Sequence, residues 1–407
     1  MTRLPGAIRR AILLAVALAV MSCTPPASVG ATPSTRVTTI PIPTSASPAT
    51  SGAPNPSPRI GPAVVQNVQL VASGLVAPWA MDLAPDGRLF VTERIGRVRI
   101  VQLGAGGGLR TDPWATLGVS QRPGSEKGLL GIALDPEFAR TGFVYLYYSY
   151  AVASGIRNKI VRMRDESAKG VEETTLVDGI PGSEAHDGGR LKFGPDGKLF
   201  ATTGDAENGA NAQDPRSLGG KILRINRDGS IPTDNPLAGS PVWSLGHRNV
   251  QGLAWQPDTG ALFATEHGPS NLFPDCCHDE VNLIVPGGNY GWPAVHGISR
   301  DARYRDPVLE SGNVETWAPT GEAFGTRPGP LRGSLFFAAL RGQHLHRVVL
   351  GAEGQVLFQE KLLGNEYGRL RDVFELASGE FLILTSNRDG RGQPRPDDDR
   401  VLLVTVG

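Results

Sequence analysis

The chain has 407 residues, enough for one large or two ordinary domains. Its 40 Lys and Arg balance 40 Asp and Glu, which excludes the broad positive field of a nucleic-acid-binding protein. With 52 Gly, 33 Pro and 6% aromatic residues, the composition favours many turns and short strands over long helices.

The N-terminus reads as a targeting signal. Arg3, Arg9 and Arg10 precede an apolar run over residues 11–21 that is too short to span a bilayer as a helix, so residues 1–22 are expected to be a signal peptide. The run ends Val20-Met21-Ser22-Cys23, which resembles a bacterial lipoprotein cleavage box. Cys23 would then be the lipidated N-terminus and the only contact with a membrane; the alternative is an ordinary secretory signal. Residues 23–62 are rich in Pro, Ser, Thr, Ala and Gly, and no acidic residue occurs before Asp82. Such a segment cannot bury enough apolar surface to fold and reads as a disordered tether. The location expected is extracytoplasmic, in the cell envelope or secreted.

Residues 63–407 carry a recurring pattern of an apolar strand, a Pro/Asp/Gly turn and a second apolar strand. It is seen at Ala80 to Thr92 around Pro85-Asp86-Gly87, and at Leu130 to Tyr147 around Asp135-Pro136. It returns at Leu191 to Thr202 around Pro195-Asp196-Gly197, and at Gly252 to Thr265 around Pro257-Asp258. Gly333 to Ala339 is a degenerate fifth copy, and Val373 to Thr385 around Ser378-Gly379 is the sixth. Spacings of this size suit an all-β fold, a six-bladed β-propeller of four-stranded antiparallel blades, with two packed β-domains as the competing architecture. The last strand, residues 401–406, is expected to complete a blade with the first, near residues 68–71.

In a propeller the loops at the ends of the inner strands surround one funnel, so polar residues flanking the repeat hairpins are the site candidates. The third hairpin is the most informative. It begins His186-Asp187-Gly188-Gly189-Arg190 and ends at Asp205, and two strands of about six residues return the chain to the level where it began. His186 and Asp205 are therefore expected side by side, a carboxylate fixing an imidazole as a general base. Glu126 precedes the second hairpin, Arg248 and Asn249 precede the fourth, Gly268 and Pro269 follow it, and Arg369 and Arg371 precede the sixth. Arginines converging beside a base suggest a ligand with several carboxylates.

The motifs His186-Asp-Gly-Gly-Arg-Leu, Gly246-His-Arg-Asn-Val-Gln-Gly252, Glu266-His-Gly-Pro269, Gly288-Asn-Tyr-Gly-Trp-Pro293 and Arg369-Leu-Arg-Asp-Val373, in this order, resemble the soluble PQQ-dependent sugar dehydrogenases. The resemblance covers residues 68–406 and implies a six-bladed propeller. By it, His186 is similar to the general base that removes the proton of the anomeric hydroxyl, and Asp205 to the acid that orients it. Arg248 resembles the residue beside the quinone carbonyls and Asn249 a neighbouring cofactor ligand. Gly268 and Pro269 resemble the positions whose backbone carbonyls hold Ca²⁺, and Arg369 and Arg371 the pair that grips PQQ carboxylates. Glu126 stands where glucose-oxidising members have a glutamine, and Arg341 where the family usually has a PQQ-binding lysine. Around Thr316-Trp317 the match is loose, which leaves the cofactor's stacking partner open.

The function implied is oxidation of the C1 hydroxyl of an aldose to a lactone, with hydride passing to PQQ and electrons to an external acceptor. Two other readings stand beside it: a calcium-dependent propeller hydrolase of lactonase type, and a non-catalytic propeller that binds sugar or protein. Cys276-Cys277 lies in an insertion, and its two thiols are read as a vicinal disulfide, as free thiols or as an intermolecular bridge.

Overall fold

A computed structural model describes residues 60–407 apart from 105, 271–275 and 352. The expected signal peptide, Cys23 and all but the last three residues of the expected tether lie outside the described residues. The described chain forms six small antiparallel sheets, one per blade of a six-bladed propeller. The only helices among the described residues are the four-residue turns Phe138–Thr141 and Ala210–Gln213.

Blade one runs Pro78–Leu83, Arg88–Glu93 and Arg97–Gln102, and its outer strand is split into Gly108–Leu109 and Ala115–Thr116. Blade two consists of Leu129–Leu134, Phe143–Val152, Gly155–Glu166 and Lys169–Gly182. Blade three is Leu191–Phe193, Leu199–Thr202, Lys221–Ile225 and Val242–Leu245, and blade four is Ala254–Trp255, Leu262–Glu266, Glu280–Ile284 and Leu309–Glu310. Blade five is Pro319–Phe324, Ser334–Ala339, His344–Leu350 and Val356–Leu362. Blade six takes Leu370–Glu375, Phe381–Thr385 and Val401–Val406 from the C-terminal end and Val65–Ala72 from the N-terminal end. That closure is the expected one, with Val68 opposite Val404.

The fifth repeat is shifted from its expected place. Gly333 to Ala339 supplies the second strand of blade five, and the inner strand is Pro319–Phe324. The reason is polarity: Thr320 and Glu322 on that strand are buried, and a Cβ on Gly321 would lie 1.7 Å from an Asp372 carboxylate oxygen. Inner strands pack around a polar axis rather than an apolar one, so the strand does not alternate.

Apolar residues fill the spaces between blades, as with Phe336 of blade five against Phe381 of blade six, ring centroids 4.5 Å apart. The axis is pinned by ionic groups. Asp372 of blade six accepts the Met81 amide of blade one at 2.9 Å and the Arg190 guanidinium of blade three at 3.0 Å. Breaking a buried pair strands the other charge. Asp372→Ala is therefore expected to lower unfolding stability by about 3–5 kcal/mol in a denaturant titration, and a loss below about 1 kcal/mol would assign Asp372 no pinning role. Val65 pairs with Val406 at one end of blade six, and Ala72 pairs with Val401 at the other, beside Leu370 and Thr385. The chain thus enters the propeller at the end opposite Arg369.

Candidate active site

His186 and Asp205 close the two ends of the third hairpin. The strand ends approach because the crossing backbone is glycine: a Cβ on Gly204 would lie 1.8 Å from the His186 carbonyl oxygen, and Gly188 has φ of 62° against Thr203. His186 itself is held at φ of 61°, a strained conformation for a non-glycine residue. Its Nδ1 lies 2.8 Å from Asp205 Oδ1. Asp205 is buried and also accepts the Glu207 amide at 2.8 Å and the Trp292 indole N–H at 2.7 Å. An ionised carboxylate is an acceptor only, so Nδ1 carries the proton and Nε2 is left as the basic nitrogen. The His186 amide in turn donates to Glu126 Oε2 at 3.0 Å.

His186, Glu207 and Glu126 border a cavity of about 650 Å³ whose wall is dominated by arginine. Arg94, Arg248, Arg341, Arg369, Arg371 and Arg391 face three carboxylates, Glu126, Glu207 and Asp389, a surplus of three positive charges. Arg391 meets Glu126 at 2.6 Å and Arg369 meets Asp389 at 2.8 Å, while Arg371 stands 3.9 Å from Asp389. Arg371 is buried, bonds Gln251 Oε1 at 2.8 Å and lies over the Trp79 ring at 5.7 Å. Burial pushes its guanidinium down to about 9, with Asp389 opposing and Arg94 and Arg369 adding to the fall. Burial pulls Arg94 and Arg248 down as well. Burial also pushes the Glu126 carboxyl up, but Arg391 and the histidines outweigh it and hold it well below the carboxylate range. The Nε atoms of Arg94, Arg248 and Arg371 are buried without a hydrogen-bond partner. Six guanidinium groups in one cavity wall repel one another and suit a ligand that brings several carboxylates.

The remaining expected residues are placed as follows. Arg248 lies in the wall, with Nη1 donating to the His267 carbonyl at 3.1 Å and the guanidinium 5.4 Å from the Trp292 ring. Arg341 is exposed at the cavity wall. Asn249 does not line the cavity; it is fully buried, accepts the Gly188 amide at 3.0 Å and donates to Glu126 at 3.2 Å, bracing the hairpin behind His186. Gly268 and Pro269 are buried beside the wall residues His267 and Ser270, and the Gly268 carbonyl accepts the Ser270 amide at 2.9 Å. Asp279 fixes that loop, accepting the amides of Gly268 at 2.9 Å and Trp317 at 2.6 Å. Trp317 packs away from the cavity against His346, at 4.9 Å, so the aromatic ring in the wall is Trp79. Cys276 and Cys277 are buried and joined as a vicinal disulfide.

Sequence reasoning missed Trp79, Arg94, Glu207, Gln251, Asp389 and Arg391 as wall residues. Arg94 follows the first hairpin and Asp389 and Arg391 follow the sixth, the same position that singled out Gly268 and Pro269 after the fourth. Applied to every blade, that rule finds them.

The chain matches the family described as glucose/sorbosone dehydrogenase over residues 75–400. It is similar to the aldose sugar dehydrogenase YliI of Escherichia coli, with 31% identity over 361 residues covering 81% of this chain and 92% of that one. Among solved structures, a putative glucose dehydrogenase from Thermus thermophilus is 47% identical with a TM-score of 0.76, covering 83% of this chain and 99% of that one. The PQQ-bound aldose sugar dehydrogenase of Streptomyces coelicolor is 39% identical with a TM-score of 0.77, covering 86% and 100%.

Proposed function

The chain belongs to the glucose/sorbosone dehydrogenase family, and from that premise we propose that it oxidises the C1 hydroxyl of aldoses to lactones with PQQ bound in the arginine-walled cavity. The observation that carries the reading is the match of charge: a wall with a surplus of three positive charges suits a quinone that bears three carboxylates. Arg369 and Arg371 hold those carboxylates, with Arg341 at the rim and Arg94 and Arg391 adding charge. PQQ supplies a quinone carbonyl able to accept a hydride from C1.

The protein's own residues handle the proton and the charge. His186 Nε2 takes the proton of the C1 hydroxyl as C1 becomes a carbonyl. Asp205 holds the ring through Nδ1–H and stabilises the imidazolium that forms. Arg248 would place its positive charge beside the bound quinone and so favour its reduction. The Trp292 indole N–H donates to Asp205, so Trp292→Phe, which removes that donor and keeps a ring beside Arg248, is expected to lower kcat about tenfold. PQQ affinity should stay the same, and an unchanged kcat in steady-state assays would remove Trp292 from the catalytic arrangement.

Ca²⁺ beside the cofactor is part of the proposal. Gly268 and Pro269 offer neutral carbonyl oxygens suited to a hard cation, and no group of three or more His, Cys, Asp or Glu among the described residues could hold a metal. Electrons pass onward to an external acceptor. We also propose that Cys23 is lipidated and residues 23–62 tether the domain outside the cytoplasm; a mature N-terminus found by mass spectrometry well downstream of Cys23 and without lipid rejects this.

The test is reconstitution. Purified protein is mixed with PQQ and Ca²⁺ and assayed for dye reduction with several aldoses. PQQ-dependent turnover supports the reading. Hydrolysis of lactones without PQQ points to the hydrolase, and neither activity points to a binding propeller.

A further inference from the structure

Two of the three wall carboxylates are committed to wall arginines: Glu126 to Arg391 at 2.6 Å and Asp389 to Arg369 at 2.8 Å. Glu207 is not. Among the described residues its side chain forms no ion pair and its partner is neutral, the Ser183 hydroxyl at 2.5 Å. Its placement follows from the catalytic acid. The Glu207 amide donates to Asp205 Oδ1 at 2.8 Å, the same oxygen that meets His186 Nδ1, and this requires φ of 58° at a non-glycine residue. The strain serves Asp205, and it sets the Glu207 carboxylate on the cavity wall next to His186. Besides Asp205, which is committed to the ring, the charged wall groups near the base are Arg248 and Glu126. In the reading above Arg248 is turned to the quinone, and Glu126 is neutralised by Arg391.

We propose that Glu207 sets the charge preference of the sugar subsite: it favours aldoses that carry an ammonium group, such as 2-amino sugars, over neutral ones, and disfavours uronic acids. The proposal rests on the aldose-oxidising reading. With C1 at His186 Nε2, a sugar ring shares the cavity with Glu207, which lines the same wall as His186. A carboxylate there accepts hydrogen bonds from hydroxyls, attracts an ammonium and repels a second carboxylate. Because the group is exposed, each charge effect is modest and sensitive to salt.

The experiment compares PQQ-loaded parent protein with Glu207→Gln, which keeps size and hydrogen bonding while removing the charge. kcat/KM is measured for glucosamine, glucose and glucuronate at about pH 6.5, where the amine is protonated. The glucosamine-to-glucuronate ratio should fall about tenfold in the variant, the product of two charge effects of roughly threefold each. Added salt, about 0.5 M NaCl, should compress the parent's ratio and leave the variant's nearly fixed. Calorimetric titration of glucosamine and of glucuronate into both proteins reads the same preference as binding, without turnover. An equal ratio in parent and variant, in rate and in binding, overturns the proposal. A parent that oxidises no aldose overturns the functional reading instead, and the charge preference then stands or falls on the titrations.

Discussion

His186→Ala should slow reduction of bound PQQ by an aldose about 10² to 10⁴-fold, the usual span for a positioned general base. The structure gives the reason. Nδ1 is committed to Asp205 at 2.8 Å, and Asp205 is itself fixed by the Glu207 amide and the Trp292 indole, so the ring cannot turn without giving up its bond to a carboxylate held in place by two further donors. Only Nε2 is available to take a proton, and no other neutral base stands so placed. His267, also in the wall, is pulled down to about 3 by burial, with Glu126 opposing and Arg371 and Arg248 adding to the fall, and so is too weak a base. PQQ affinity should change little, because the arginines that hold it are elsewhere in the wall. Stopped-flow absorbance of the loaded variant mixed with glucose is the measurement. Reduction as fast as in the parent would make His186 a loop residue and require another base.

Arg371→Ala should raise the PQQ dissociation constant about tenfold or more, as expected for loss of one charge-assisted contact of roughly 1.5–3 kcal/mol. Arg371 is the wall cation that burial destabilises most openly, pushed down to about 9, and its Nε has no partner in the protein. A bound carboxylate would offset the cost of the buried charge. Removing the side chain relieves its repulsion with Arg94 and Arg369 but gives up its bond to Gln251 and its packing on Trp79, so the apoprotein should change little in stability. Fluorescence titration with PQQ, together with a thermal melt of the apoprotein, separates the two effects. Unchanged affinity with a lowered melting temperature would place Arg371 in the framework of the propeller and not in the site.

Much of this was legible in the chain because the informative residues lie at the ends of regular strands. Pro-Asp-Gly turns between apolar runs announce hairpins, and equal strand lengths put His186 beside Asp205 without any knowledge of the blades around them. The closing strand could be paired with the first for the same reason. What the pattern hid is governed by the axis. Pro319–Phe324 is an inner strand lined with Thr320 and Glu322 because it faces buried charge, and period-two alternation is blind to that. Asn249 looked like a ligand from its neighbour Arg248, but successive residues point opposite ways, and its amide braces Gly188 and Glu126 instead. Trp79 gave no signal at all, since an aromatic residue in an apolar strand reads as core until its ring is found under Arg190 and Arg371.

The most direct measurement is an anaerobic titration of purified apoprotein with PQQ in the presence of Ca²⁺, followed by absorbance, with excess glucose added at the end point. One equivalent of PQQ should saturate the protein, and glucose should then convert the bound quinone to its reduced spectrum with no other reagent present. If PQQ fails to bind at micromolar concentration, or binds and keeps its oxidised spectrum after every aldose tried, the arginine-walled cavity is not a quinone site for sugar oxidation.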